Sequence, residues 1–200
     1  MSESKSYRDG YKDGIKFSLL IARMYGADEK IIKRLESEYS GEEPENALKL
    51  KYGETYLIYE KRNRKGMEIV WGIATQGFHT IVMSRETKNA LREFENVKFI
   101  PITYDESTGG FNPTQLGLIQ EFIINNFAPK SVLYVDCLDY LFSIAPSVQS
   151  VIKFLTVVKD KVVELNGIFI LSVNKDVIGK AERSMVEKEF KNTLEIKQED

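Results

Sequence analysis

Only one cysteine, Cys137, occurs in 200 residues, which excludes an intramolecular disulfide and removes any pointer to an oxidising compartment. A lone histidine, His79, leaves too few imidazoles for a histidine-based metal centre or a Ser-His-Asp triad. An excess of one charge sign is missing too. The formal net charge of -2 argues against general attraction to nucleic acid or to an anionic membrane. No long apolar run is present: the N-terminal patch from Ile15 to Tyr25 is short and interrupted by Lys16 and Arg23, so it does not span a bilayer. The charged N-terminus carries no signal-peptide pattern. These absences point to a cytoplasmic protein with no cofactor or metal, whose partners are other proteins.

What is there falls into two parts. Residues 6–39 read as helical. Ile15, Leu19, Ala22 and Tyr25 recur at helical spacing, Gly26 ends the run, and Asp28 is placed to cap a second helix bearing Ile31, Ile32, Leu35 and Tyr39. So short a turn implies a helical hairpin. Its apolar stripe either packs on the rest of the chain or forms a docking or self-association surface. The acidic stretch Ser40 to Asn46 has a glycine, a proline and nothing to build a core, so it reads as a linker. The expected division is an N-terminal arm over 1–47 and an α/β domain over 48–200.

In that domain strands and helices alternate. Strands are expected at Thr55–Glu60, His79–Ser84, Val97–Thr103, from Ser131 to the acid Asp136 and at Gly167–Val173, with an edge strand at Thr193–Ile196. Helices are expected from about Met67 to Gln76, over Glu86–Phe94, from an Asn112-Pro113-Thr114-Gln115 start, from Ser147 onward, and over Asp176–Phe190. Ser131 to Leu141 (S-V-L-Y-V-D-C-L-D-Y-L) is the organising stretch, a strand buried on both faces and ended by an acid. The alternation implies a three-layer α/β/α sandwich with a mainly parallel sheet.

The same order is the layout of RecA- and KaiC-type ATPases, so the loop after the first strand is decisive. A phosphate loop needs glycines whose N–H groups curl round the phosphates, a lysine, and a Ser/Thr for Mg²⁺. Between Glu60 and Glu68 stands one glycine, Gly66, in the order Lys65-Gly66-Met67, with no hydroxyl. That loop does not form the nest. Its basic run, Lys61, Arg62, Arg64 and Lys65, is either a solvated loop or a contact for a phosphate or an acidic partner.

Five stretches carry a resemblance: G-E-T-Y-L-I at Gly53–Ile58, V-M-S-R-E at Val82–Glu86, N-P-T-Q-L at Asn112–Leu116, V-L-Y-V-D-C-L-D-Y-L at Val132–Leu141, and V-I-K-F-L-T-V-V-K-D-K-V at Val151–Val162. Together they resemble an archaeal family known as domain of unknown function 835, over about Tyr56 to Phe190. The resemblance implies a degenerate KaiC/RecA-like domain without a phosphate loop and leaves the activity open. Where the family has Asp-Gly-x-Glu-Tyr-Leu after the central strand, this chain has Asp136-Cys137-Leu138-Asp139-Tyr140-Leu141.

Carboxylates at the C-terminal end of a parallel strand lie where open α/β sheets place their ligands. Asp136, Asp139, Tyr140, Arg85 and Asp105 are therefore the candidates for a ligand or partner site, with a structural cluster as the alternative. Cys137 reads as a small buried hydrophobe, His79 as a surface residue, and Trp71 as packing or, if exposed, a contact patch. The functional expectation is a non-catalytic adaptor or regulatory module. The alternative is a nucleotide or small-molecule sensor that binds without hydrolysis.

Overall fold

The structure, a computed structural model, describes residues 50–61, 64–86, 94–105, 107, 109–174 and 176–195, together with 29, 31–33 and 36. The chain divides into two units, Met1–Lys49 and Leu50–Asp200. Of the first, the described residues are helical, with Ile31 exposed. Ile15, Leu19, Ala22 and Tyr25, the expected interaction arm, lie outside the described residues.

The second unit is built on strands β1 (Thr55–Tyr59), β2 (Thr80–Ser84), β3 (Val97–Pro101), β4 (Val132–Val135), β5 (Ile168–Val173) and β6 (Asn192–Glu195). They form one sheet in the order β3-β2-β4-β5-β1-β6, and every pairing is parallel. Strands β1, β2, β4 and β5 are buried throughout, as their unbroken apolar runs require of a sheet covered on both faces. Pro101 ends β3 at the sheet edge, where its missing N–H costs no ladder bond.

Helices α1 (Arg64–Thr75), α2 (Leu116–Asn126), α3 (Leu138–Ile144), α4 (Val148–Glu164) and α5 (Lys180–Glu189) complete the layers. Side-chain alternation sorts them. Tyr56, Ile58, Val82, Val132, Tyr134 and Ile170 meet Val70 and Ala74 of α1 on one face. Leu57, Met83, Leu133, Val135 and Leu171 meet Ile119 of α2, Leu138 of α3, Leu155 of α4 and Val186 of α5 on the other. The three-layer parallel α/β architecture is what the sequence implies.

Some local expectations need correction. α1 starts at Arg64, not near Met67, so Arg64 and Lys65 belong to its first turn. Asn112 does not cap α2: its Oδ1 accepts from Thr114 N at 3.0 Å, closing a turn ahead of a helix whose N-cap is Gln115. The residues after Asp136 form a helix, α3, which is not among the expected elements. The final helix starts at Lys180, after a turn in which Asp176 N donates to Asn174 Oδ1 at 3.0 Å. The helix expected over Glu86–Phe94 falls largely outside the described residues. By contrast Ser147 caps α4 as expected, its side chain accepting from Ser150 N at 3.1 Å. Gly77, at φ 82, supplies the left-handed turn after α1. No helix among the described residues is long and apolar enough to cross a membrane.

Candidate functional site

The same alternation that buries Ile58, Val82, Tyr134 and Ile170 under α1 puts four polar side chains one step further along their strands, on that same face. Glu60, Ser84, Asp136 and Ser172 lie at the C-terminal ends of β1, β2, β4 and β5, and all are buried. They form two linked sites.

The first lies beneath the N-terminus of α1. The Glu60 carboxylate is 4% exposed and accepts three hydrogen bonds. Lys65 N donates to Oε2 at 2.8 Å, Gly66 N to Oε1 at 3.0 Å, and Ser172 Oγ to Oε1 at 2.5 Å. Two of these donors are first-turn N–H groups that the helix itself leaves unsatisfied, and the helix dipole favours a negative charge there. A helix N-terminus following the first strand is where a phosphate-binding loop holds its anion. Here the anion is the chain's own. Gly66 permits the approach, because a Cβ at that position would stand 2.8 Å from Glu60 Oε1 and 2.8 Å from Tyr134 Oη. The Tyr134 hydroxyl, fully buried, has no hydrogen-bond partner among the described residues. Burial, with the charges of Asp136 and Glu60, pushes the Tyr134 phenol well above its ordinary range. The nearby Ser172 hydroxyl opposes the shift, but its proton is committed to Glu60. Asn174 Nδ2 ties the end of β5 to the β1 loop by donating to Lys61 O at 3.1 Å.

The second site is the β2–β4 crevice. Asp136, 7% exposed, accepts from Ser84 Oγ at 3.0 Å, and that hydroxyl oxygen in turn accepts from Glu86 N at 3.1 Å. Burial pushes the Asp136 carboxyl up to about 7; the Ser84 bond opposes this, while Glu86, Asp139 and Glu60 add to it. Asp136 thus reaches sideways to β2, and the N-cap of α3 is Cys137, with no side-chain cap bond. Cys137 is buried, and its thiol is pushed well up by that burial. Arg85 lies over the Tyr140 ring, 3.9 Å from guanidinium carbon to centroid. Among the described residues this stack, not an Arg–carboxylate pair, is what the structure gives Arg85.

The remaining candidates scatter. Asp139 is half-buried in the first turn of α3. Asp105 sits in the exposed turn beyond edge strand β3, accepting from Ser107 N at 3.0 Å. Lys61 is exposed, Lys65 pairs with Glu68 at 2.9 Å, Arg62 lies outside the described residues, and so does the Arg64 side chain. Trp71 is 41% exposed and meets Phe94 edge-on at 5.2 Å. His79 is exposed and lines a cavity of about 340 Å³ with Asn96, Lys98 and Asn126, at the opposite edge of the sheet. Among the described residues, no group of three or more His, Cys, Asp or Glu is placed to hold a metal ion. Sequence reasoning alone misses Glu60, Ser84, Tyr134 and Ser172 as site residues. Their signal is nonetheless present: each is a polar or hydroxyl-bearing residue in an otherwise apolar strand buried on both faces.

No curated protein matches the sequence. Among solved structures, the chain is similar to the flagellar accessory protein FlaH from Methanocaldococcus jannaschii, at 16% identity and a TM-score of 0.52, over 73% of this chain and 72% of that one. At that identity the likeness speaks for the fold alone. A family model matches residues 59–190, from the end of β1 to the residue after α5, and so the chain belongs to the family described as Protein of unknown function (DUF835).

Proposed function

We propose that the protein is a non-catalytic adaptor or regulatory module that acts through protein contacts. One observation carries this reading: the helix N-terminus that a nucleotide's phosphates would need is filled by Glu60, which takes the N–H groups of Lys65 and Gly66. A triphosphate brings several negative charges to a place where a buried carboxylate already stands, and like charges in a site of low dielectric repel strongly. Exposed Trp71 and Tyr104 offer contact area of the kind enriched at protein interfaces. Calorimetric titration with Mg-ATP and Mg-GTP, with a turnover assay alongside, tests the reading. The expected result is no heat and no phosphate release. Mg²⁺-dependent turnover that Asp136→Ala abolishes would overturn it.

The second reading, binding without turnover, has its own support in the stack of exposed Arg85 on half-buried Tyr140 beyond the end of the Asp136 strand, a surface suited to a planar ring. A thermal shift on adding nucleotide that Tyr140→Ala removes would favour it.

A further inference from the structure

We infer that the space beneath the N-terminus of α1 is an oxyanion seat that Glu60 occupies as an in-cis ligand, so that the chain closes against external anions a site chemically built for one. The inference rests on the non-catalytic reading and adds the identity of the closing group and the class of ligand it replaces, a carboxylate.

Two independent observations carry it. The first is the convergence of donors from two elements on a carboxylate that arrives from a third. Lys65 and Gly66 N–H come from α1, the Ser172 hydroxyl from β5, and Glu60 from the end of β1. An ordinary N-cap comes from the residue just ahead of the helix, whereas Glu60 reaches in from the strand end, well before Arg64. The second is the Tyr134 hydroxyl, fully buried, unpartnered among the described residues and lying close to Gly66. A buried donor held without a partner beside an anion marks a site with more hydrogen-bonding capacity than its present occupant uses. The occupant is planar and bidentate, and the atoms beyond its Cβ (one methylene and one carboxylate) are those of acetate. Truncation to alanine leaves a void of that shape, lined by donors.

The test uses the full chain, with acetate as the probe and chloride at matched ionic strength as the control. Wild type is expected to show the same Tm in both. Glu60→Ala is expected to fall by roughly 4–8 °C in chloride, as the loss of charge-assisted hydrogen bonds in a domain of this size implies. Its Tm should then climb with acetate concentration, as mass action on the folded state requires. Glu60→Gln keeps the shape and loses the charge, so it should fall without recovering. Recovery of Glu60→Ala in chloride as complete as in acetate would overturn the inference, and so would a response to phosphate without one to acetate. Should Glu60→Ala fail to fold in chloride, its refolding yield from urea in acetate against chloride reads the same selectivity. Mg²⁺-dependent nucleotide turnover by wild type would overturn the non-catalytic reading, whereas a missing acetate response in Glu60→Ala overturns only the seat.

Discussion

At the scale of single residues, two opposing effects meet at Gly66, and their sizes settle the sign. Glycine in a helix costs about 0.5–1 kcal/mol relative to alanine, so Gly66→Ala would stabilise α1 if propensity alone counted. The added Cβ, however, would press on a buried carboxylate and a buried phenol at 2.8 Å each, and overpacking of that kind costs about 1–3 kcal/mol. We therefore expect a net loss, seen as a lower urea midpoint at unchanged slope. Tyr134→Phe goes the other way. It removes a buried hydroxyl that has no partner among the described residues, so it should be neutral or stabilising by up to about 1 kcal/mol in the same titration. Asp136 makes stability depend on pH. Its folded value of about 7 stands above the ordinary 3.8, so the folded state holds the proton more tightly than the unfolded one. The contribution is full below about pH 4 and is lost as the pH rises to about 7. Asp136→Asn should match wild type near pH 4 and exceed it near pH 8, by a margin of order 4 kcal/mol at most. A wild type that gains on the variant as the pH rises would contradict the assignment.

At the scale of elements, α4 shows what a residue pattern specifies well. Val151, Phe154, Leu155, Val158 and Val162 are all buried along one stripe, and Ser147 closes its first turn. Ser147→Ala should cost about 1 kcal/mol in thermal or urea unfolding, with the helix retained because its buried face holds it. Such stripes and caps are local, and so α4, β4 and β5 are legible in the residues themselves. The beginning of α1 is not. Its first turn is the basic run that reads as a solvated loop, and the group that lets it start at Arg64 is a carboxylate at the end of β1 joined by a hydroxyl on β5. The start of α2 misleads for a related reason. Asn112 and Pro113 do make a turn, but Asn112 Oδ1 serves Thr114, and the helix begins beyond it. α3 escapes notice because the stretch after Asp136 is too short for helical periodicity to show.

At the scale of the whole molecule, alternation of strand and helix is enough to imply a parallel three-layer domain, and the sheet has that form. What the alternation does not contain is strand order, which decides which polar residues become neighbours. Glu60 and Ser172 meet only because β1 lies against β5, and Ser84 and Asp136 only because β2 lies against β4. The rim acids are legible one at a time, and the pairings that give them their chemistry are not. The division at Leu50 leads to a further expectation. Residues 50–200 alone should unfold in a single cooperative step, with far-UV circular dichroism and Trp71 fluorescence coinciding. Separate transitions would show that residues 50–200 are not one cooperative unit.

Strand order also has a cost during biosynthesis. β1 is the first of the six strands to leave the ribosome, yet its partners are β5 and β6, and Thr55 must wait for Phe169. Throughout that interval the nascent chain carries T-Y-L-I-Y, a sticky segment with both of its edges open, while β2, β3 and β4 can already pair among themselves. Slow maturation and dependence on chaperones under heat are what a topology with such distant closures brings.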